Sequence, residues 1–150
     1  MDIDNYTGIE LMSMIADGKI PPPPIAKVIP LTLKSVEKGR AVFIGIAGEN
    51  LANPLGTTHG GFIATLIDSA TGCAAHTMLG KGEIYGTIDL NVKMVRPVPF
   101  HKELYGEGEV VSMTKSIIIS NCTVKDKDGK IYGYGSATCM IIRSNHEPRK

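Results

Sequence analysis

The chain has 150 residues, with 16 basic and 15 acidic side chains and a formal net charge of +1. That length suits one domain, which can bury about 68–70% of its extended surface. The balanced charge supplies no broad field for a nucleic acid or an anionic membrane, and neither partner is expected. The cysteines, Cys73, Cys122 and Cys139, are odd in number, lie in apolar stretches and lack metal-ligand spacing. They read as reduced thiols of a cytoplasmic protein without a metal site. The acidic start, Met1 to Asn5, is unlike a secretory leader, which needs a basic region and an apolar run.

In chain order, Thr7-Gly-Ile-Glu10 is a capping-box pattern, and Ile9, Leu11, Met12 and Ile15 give a helical stripe. Gly18 suits the residue just past the helix end, and Pro21 to Pro24 force an extended connector. Residues 1–25 are therefore a helix and a spacer ahead of the main domain, residues 26–143. Ala26 to Val36 and Arg40 to Ile46 are β-rich runs joined by Glu-Lys-Gly, a hairpin pattern. Asn53-Pro-Leu-Gly56 is turn chemistry leading into the next element.

That element, Thr58 to Leu79, organises the rest. Between Asn50 and Gly80 the only charged side chain is Asp68, and apolar or small residues cover every helical face from Phe62 on. The expectation is a helix buried all round. A membrane span is rejected, since Asp68 at its centre alone costs roughly 2.5–3.5 kcal/mol. Beyond Gly80-Lys-Gly82 the pattern turns to strand. In Thr87 to Val95, Ile88, Leu90, Val92 and Met94 alternate with Thr87, Asp89, Asn91 and Lys93, which places Thr87 on the face opposite Ile88 and Leu90. Leu104 to Met113, Ser116 to Val124 and Ile131 to Ile142 follow, the last two joined by the turn Lys125 to Gly129. Residues 144–150 read as a tail. Helix, two strands, long buried helix and four strands make an α+β chain, an antiparallel sheet around one helix.

Asp68 carries the chemistry. A structural aspartate belongs at caps and turns rather than among Leu66, Ile67 and Ala70. The structural alternative is a carboxylate tied to strand backbone; the functional one is a general base or a nucleophile, with a pKa raised by burial. At the helix start, Gly60 and Gly61 let a substrate approach unpaired N–H groups, and Asn53 offers a side-chain donor, a fit for a developing oxyanion. Gly61 and Asp68 are separated by about 10 Å along the axis at 1.5 Å per residue. A site using both ends is therefore expected to be shared by two antiparallel copies in a symmetric dimer.

The run Asn53, His59-Gly60-Gly61 and Asp68, followed by Thr87 to Asn91 and Arg96-Pro97, resembles the hotdog-fold acyl-CoA thioesterases of the PaaI-like group, over roughly residues 26 to 142. The resemblance implies a helix wrapped by an antiparallel sheet, subunits paired edge to edge, and active sites between them, as a homodimer or a tetramer of paired dimers. It implies hydrolysis of an acyl- or aroyl-coenzyme A, with no cofactor because coenzyme A is part of the substrate. Asp68, Asn53, Gly60 and Thr87 would serve catalysis, Thr87 as a hydroxyl that helps hold water. His59, Gly61, Arg96 and Lys115 would meet substrate, the last two at the phosphates. A hotdog subgroup with a hydroxyl four residues after the acid is disfavoured, since Gly72 stands there. His76 reads as a packed core histidine.

Other chemistries lack their motifs. Asp126-Lys-Asp-Gly129 misses the ligands of a calcium loop, and Gly133-Tyr-Gly135 misses the third glycine of a dinucleotide site. There is no Gly-x-Ser-x-Gly elbow and no His-Glu-x-x-His. The competing class is a non-catalytic acyl-CoA sensor, which needs an attached regulatory segment, and a hotdog dehydratase ranks below it.

Overall fold

The computed structural model describes residues 3–143; the tail expected over residues 144–150 lies outside them. The N-terminal capping box forms. Thr7 Oγ1 accepts from the Glu10 amide at 3.5 Å, and the Glu10 carboxylate accepts from the Thr7 amide at 2.7 Å. It starts α1 (Gly8–Ala16), and Gly18, at φ +72°, takes the left-handed turn that ends it.

The expected strand at Ala26 begins five residues late. Pro24–Lys27 winds into a 3₁₀ turn, and Pro30 has no N–H to give a ladder, so β1 is Leu31–Glu37. It pairs with β2 (Arg40–Ile46) in the expected hairpin, turned at Gly39 with φ +79°. Then come α2 (Gly60–His76), β3 (Glu83–Met94), β4 (Glu103–Met113), β5 (Ile117–Lys125) and β6 (Ile131–Arg143). Every sheet neighbour is antiparallel, in the order β1-β2-β4-β5-β6-β3. The turn between β5 and β6 is built on Asp126, whose Oδ1 accepts from the amides of Asp128 and Lys130 at 3.0 Å each.

The sheet curls around α2. Phe62, Ile63, Leu66, Ile67 and Ala70 pack with Leu31, Leu104, Val124 and Tyr132, and Ala75 and Leu79 with Ile118, Cys139 and Ile141. A Cβ on Gly108 would lie 2.2 Å from the carbonyl oxygen of Ala70, so β4 reaches the helix backbone only because that side chain is absent.

Two expectations change here. The helix is not buried all round: Thr65, Asp68, Ser69, Cys73 and His76 form a half-buried stripe, and α1 lies along part of it. A solvent-reaching stripe is what lets a lone carboxylate sit in the middle of this helix. The alternation in β3 also breaks. The register steps from Thr87 opposite Cys139 to Asp89 opposite Thr138, so Ile88 is the extra residue of a β-bulge. Thr87 and Leu90 therefore share the helix-facing side, and the opposition inferred from strict alternation does not hold.

Candidate active site

Asp68 projects from the half-buried stripe into a cavity of about 490 Å³, within the range of ordinary small-molecule sites. The bulge turns Thr87 toward it, and Thr87 Oγ1 donates to Asp68 Oδ1 at 3.3 Å. Among the described residues the second carboxylate oxygen accepts no hydrogen bond, so it can take another donor. Cys73 lines the same cavity. Burial, with the Asp68 carboxylate beside it, pushes that thiol up to about 12, so it is protonated at neutral pH and is no nucleophile.

Tyr85, two residues before Thr87, was not singled out from sequence and belongs to this site. Its hydroxyl would lie 2.4 Å from a Cβ on Gly72, so the phenol fills the space that a serine or threonine would need there. Burial raises its pKa, and the ring stands edge-on to His76, with centroids 5.6 Å apart. The signal available was weak: an aromatic residue at helix-facing spacing from Thr87. His76 also lines the cavity rather than the closed core. Burial holds it below the ordinary imidazole range, hence neutral.

The start of α2 is a second cluster. His59 is the N-cap, and its Nδ1 accepts the Gly61 amide at 2.8 Å, which occupies the Gly61 donor. Gly60, the first residue of the helix, has no acceptor within it for its own N–H. A Cβ at Gly60 would lie 2.6 Å from Met94, so the end of β3 flanks this amide. Asn53 is busy in its own turn: Oδ1 accepts from the amides of Leu55 and Thr57, and Nδ2 donates to Thr57 Oγ1 at 2.9 Å. The other amide hydrogen of Asn53 has no acceptor among the described residues.

Within one chain these clusters stay apart. Thr87 touches Asp68, whereas Met94, seven residues further along β3, flanks Gly60. The basic candidates also separate. Arg96 follows β3 at the Gly60 end and donates to the Ile131 carbonyl. Lys115 lies in the β4–β5 hairpin at the other end, where Arg143 donates both to the Lys115 carbonyl and to Glu83, the first residue of β3.

The fold and this arrangement of acid, helix start and cavity define a class. The model of the thioesterase superfamily matches residues 55–132, and the chain belongs to that superfamily. It is 31% identical over 104 residues to the acyl-coenzyme A thioesterase THEM4 of Xenopus laevis, covering 69% of this chain and 45% of that protein. It is 25% identical over 109 residues to the human acyl-coenzyme A thioesterase 13, covering 72% and 77%. The chain thus spans about half the length of its THEM4 relatives, 45% in the frog and 46% in the mouse. Among solved structures, the PaaI protein of the E. coli phenylacetic acid degradation operon superposes with a TM-score of 0.79 at 17% identity, over 91% of this chain and 96% of that one. A thioesterase family protein from Silicibacter pomeroyi gives 0.78 at 19%, over 89% and 99%. Those identities speak for the fold, and the expected hotdog architecture is the one observed. Among the described residues no helix is long and apolar enough to cross a membrane.

Proposed function

We propose that the protein hydrolyses the thioester of an acyl- or aroyl-coenzyme A to the free acid and coenzyme A. The observation that carries this reading is Asp68, a half-buried carboxylate that accepts from Thr87 and lines a mostly apolar cavity. In the proposed reaction Asp68 is the general base. It takes a proton from a water whose oxygen attacks the thioester carbonyl, and the carbonyl oxygen becomes an oxyanion facing the Gly60 amide. Collapse expels the coenzyme A thiolate, which recovers the proton from Asp68. The other role for Asp68, attack to form a mixed anhydride, would leave an acyl-enzyme that hydroxylamine traps as a hydroxamate.

The site is proposed to be shared by two chains. β3 is an edge strand of twelve residues. Ile84, Ile88, Leu90, Met94 and Val95 on or just after it are 38–57% exposed. A long apolar edge of this kind is a template for another strand. Two β3 strands paired antiparallel, with Thr87 opposite the partner's Met94, would bring Asp68 of one chain toward Gly60 and Asn53 of the other. The same pairing puts Lys115 at the end that holds the partner's Arg96, a place for coenzyme A phosphates. On the outer face of the sheet, exposed Ile84, Met140, Ile142 and Ile119 support a tetramer of two such dimers.

Thiol release over a panel of short, long and aromatic acyl-CoAs tests the activity. Turnover of at least one member is expected. Tight binding across the panel without turnover would establish the sensor reading instead.

A further inference from the structure

The cavity at Asp68 has a wall that lies outside the matched family region. One side is the half-buried stripe of α2, from Asp68 to His76; the facing side comes from the N-terminal segment, with Met12 and Ile15 of α1 and Ile25 of the 3₁₀ turn. This segment is seated rather than draped. The Gly8 amide donates to the Leu79 carbonyl at 2.9 Å, and a Cβ on Gly8 would lie 1.7 Å from the His76 carbonyl oxygen. Only glycine lets the first turn of α1 rest on the end of α2. Met12 is 7% exposed, whereas Ile25 is 52% exposed at the rim. On the α2 side, His76 lines the cavity and its Nε2 is buried with no hydrogen-bond partner among the described residues. The unfilled space between these walls is mostly apolar, which suits an apolar ligand.

We propose that the N-terminal helix and proline connector are the outer wall of the acyl pocket, that Ile15 and Ile25 set its length, and that the occupant is a medium-length apolar acyl chain. This rests on the thioesterase reading above. The length follows from the helix. Asp68 and His76 are eight residues apart, about 12 Å along the axis. An extended chain advances roughly 3.6 Å per three bonds, so 12 Å takes about ten bonds. Ten bonds from a carbonyl held beside Asp68 end at an eleventh carbon, and the end methyl group, about 2 Å in radius, shortens this to an acyl chain of about eight to ten carbons. Short acyl groups would never reach the wall. The proline run has a role on this account: it carries the chain stiffly from α1 to β1 and holds Ile25 at the rim.

The test compares wild type with Ile15→Trp, which narrows the pocket, and Ile25→Trp, which changes an exposed side chain and spares the packing. Thiol release is measured with butanoyl-, octanoyl-, decanoyl- and hexadecanoyl-CoA, and binding with butyl-CoA and decyl-CoA thioethers, which cannot be hydrolysed. Wild type should peak at octanoyl or decanoyl. Each variant should lower the decanoyl-to-butanoyl ratio of kcat/KM by at least ~10-fold, the scale of one or two methylenes in a tight pocket, and weaken decyl-CoA binding while butyl-CoA binding stays put. An unchanged ratio, or an equal loss at every length, overturns the wall. Decyl-CoA binding that responds to both variants, in a protein that cleaves none of the panel, keeps the wall and removes the thioesterase reading. Cleavage with no response to either variant does the reverse.

Discussion

At the scale of single residues, Asp68 and the groups that aim it decide the proposed chemistry. Asp68→Asn keeps the shape and removes the base, so kcat should fall by at least ~10²-fold while the melting temperature holds or rises. A lower melting temperature with normal turnover per folded molecule would make Asp68 a structural carboxylate. In the proposed reaction Thr87 is a positioning residue, since its hydroxyl donates to Asp68. Thr87→Val should reduce kcat more than it changes KM, and Thr87→Ser should restore kcat. Loss of stability alone, with kcat and KM unmoved, would contradict that role. Asp126 illustrates a charge with a purely structural duty. Its bond with Lys102, and then the amides of Lys130 and Asp128, hold its pKa below the usual carboxylate value. A depressed folded pKa means that its stabilisation is complete above the ordinary aspartate range and is lost as pH falls through the depressed value. Melting curves of wild type and Asp126→Asn should therefore differ at neutral pH and converge in acid; a gap that persists in acid would show that the lost charge is not the cause.

Among elements, α2 decides most. Leu66 is fully buried, and Leu66→Ala should cost about 2–5 kcal/mol by chemical denaturation. Gly108→Ala should also destabilise, because its methyl group meets backbone at Ala70 rather than a side chain that can turn away. The order of elements, the capping box at Thr7 and the hairpin turns at Gly39 and Gly129 were legible in the sequence, since each rests on local chemistry. Asp68 was legible for the opposite reason: it violates its surroundings. The errors came where local pattern and tertiary structure part. Alternation in β3 gave no hint of a bulge at Ile88, because one inserted residue leaves the apolar spacing looking regular on paper. That single residue turned Thr87 toward the acid. The 3₁₀ turn at Pro24 was hidden in a run rich in β-formers, where proline geometry outweighed propensity. Tyr85 left only a weak signal, and the place of α1 could not be read, because both come to the cavity of Asp68 only through the fold.

For the whole molecule, the central claim is that one chain is half an active site. Gly60 and Asp68 lie too far apart along α2 to serve one carbonyl, and β3 offers a free edge along which a second copy can pair. Sedimentation should show at least a dimer, and a monomer that still cleaves thioesters would remove the shared site. The more direct measurement uses two disabled chains. Asn53→Ala dismantles the corner beside Gly60, whether it acts through the lost amide donor or through the lost turn. Asp68→Asn removes the base. Each mutant alone should be nearly inactive. Co-expressed, they should form mixed dimers in which one of two sites pairs an intact Asp68 with an intact Asn53–Gly60 corner, with about half the wild-type turnover per mixed dimer. With mixed dimers verified by mass, activity no higher than the sum of the two mutants would place both roles in one chain and contradict the account.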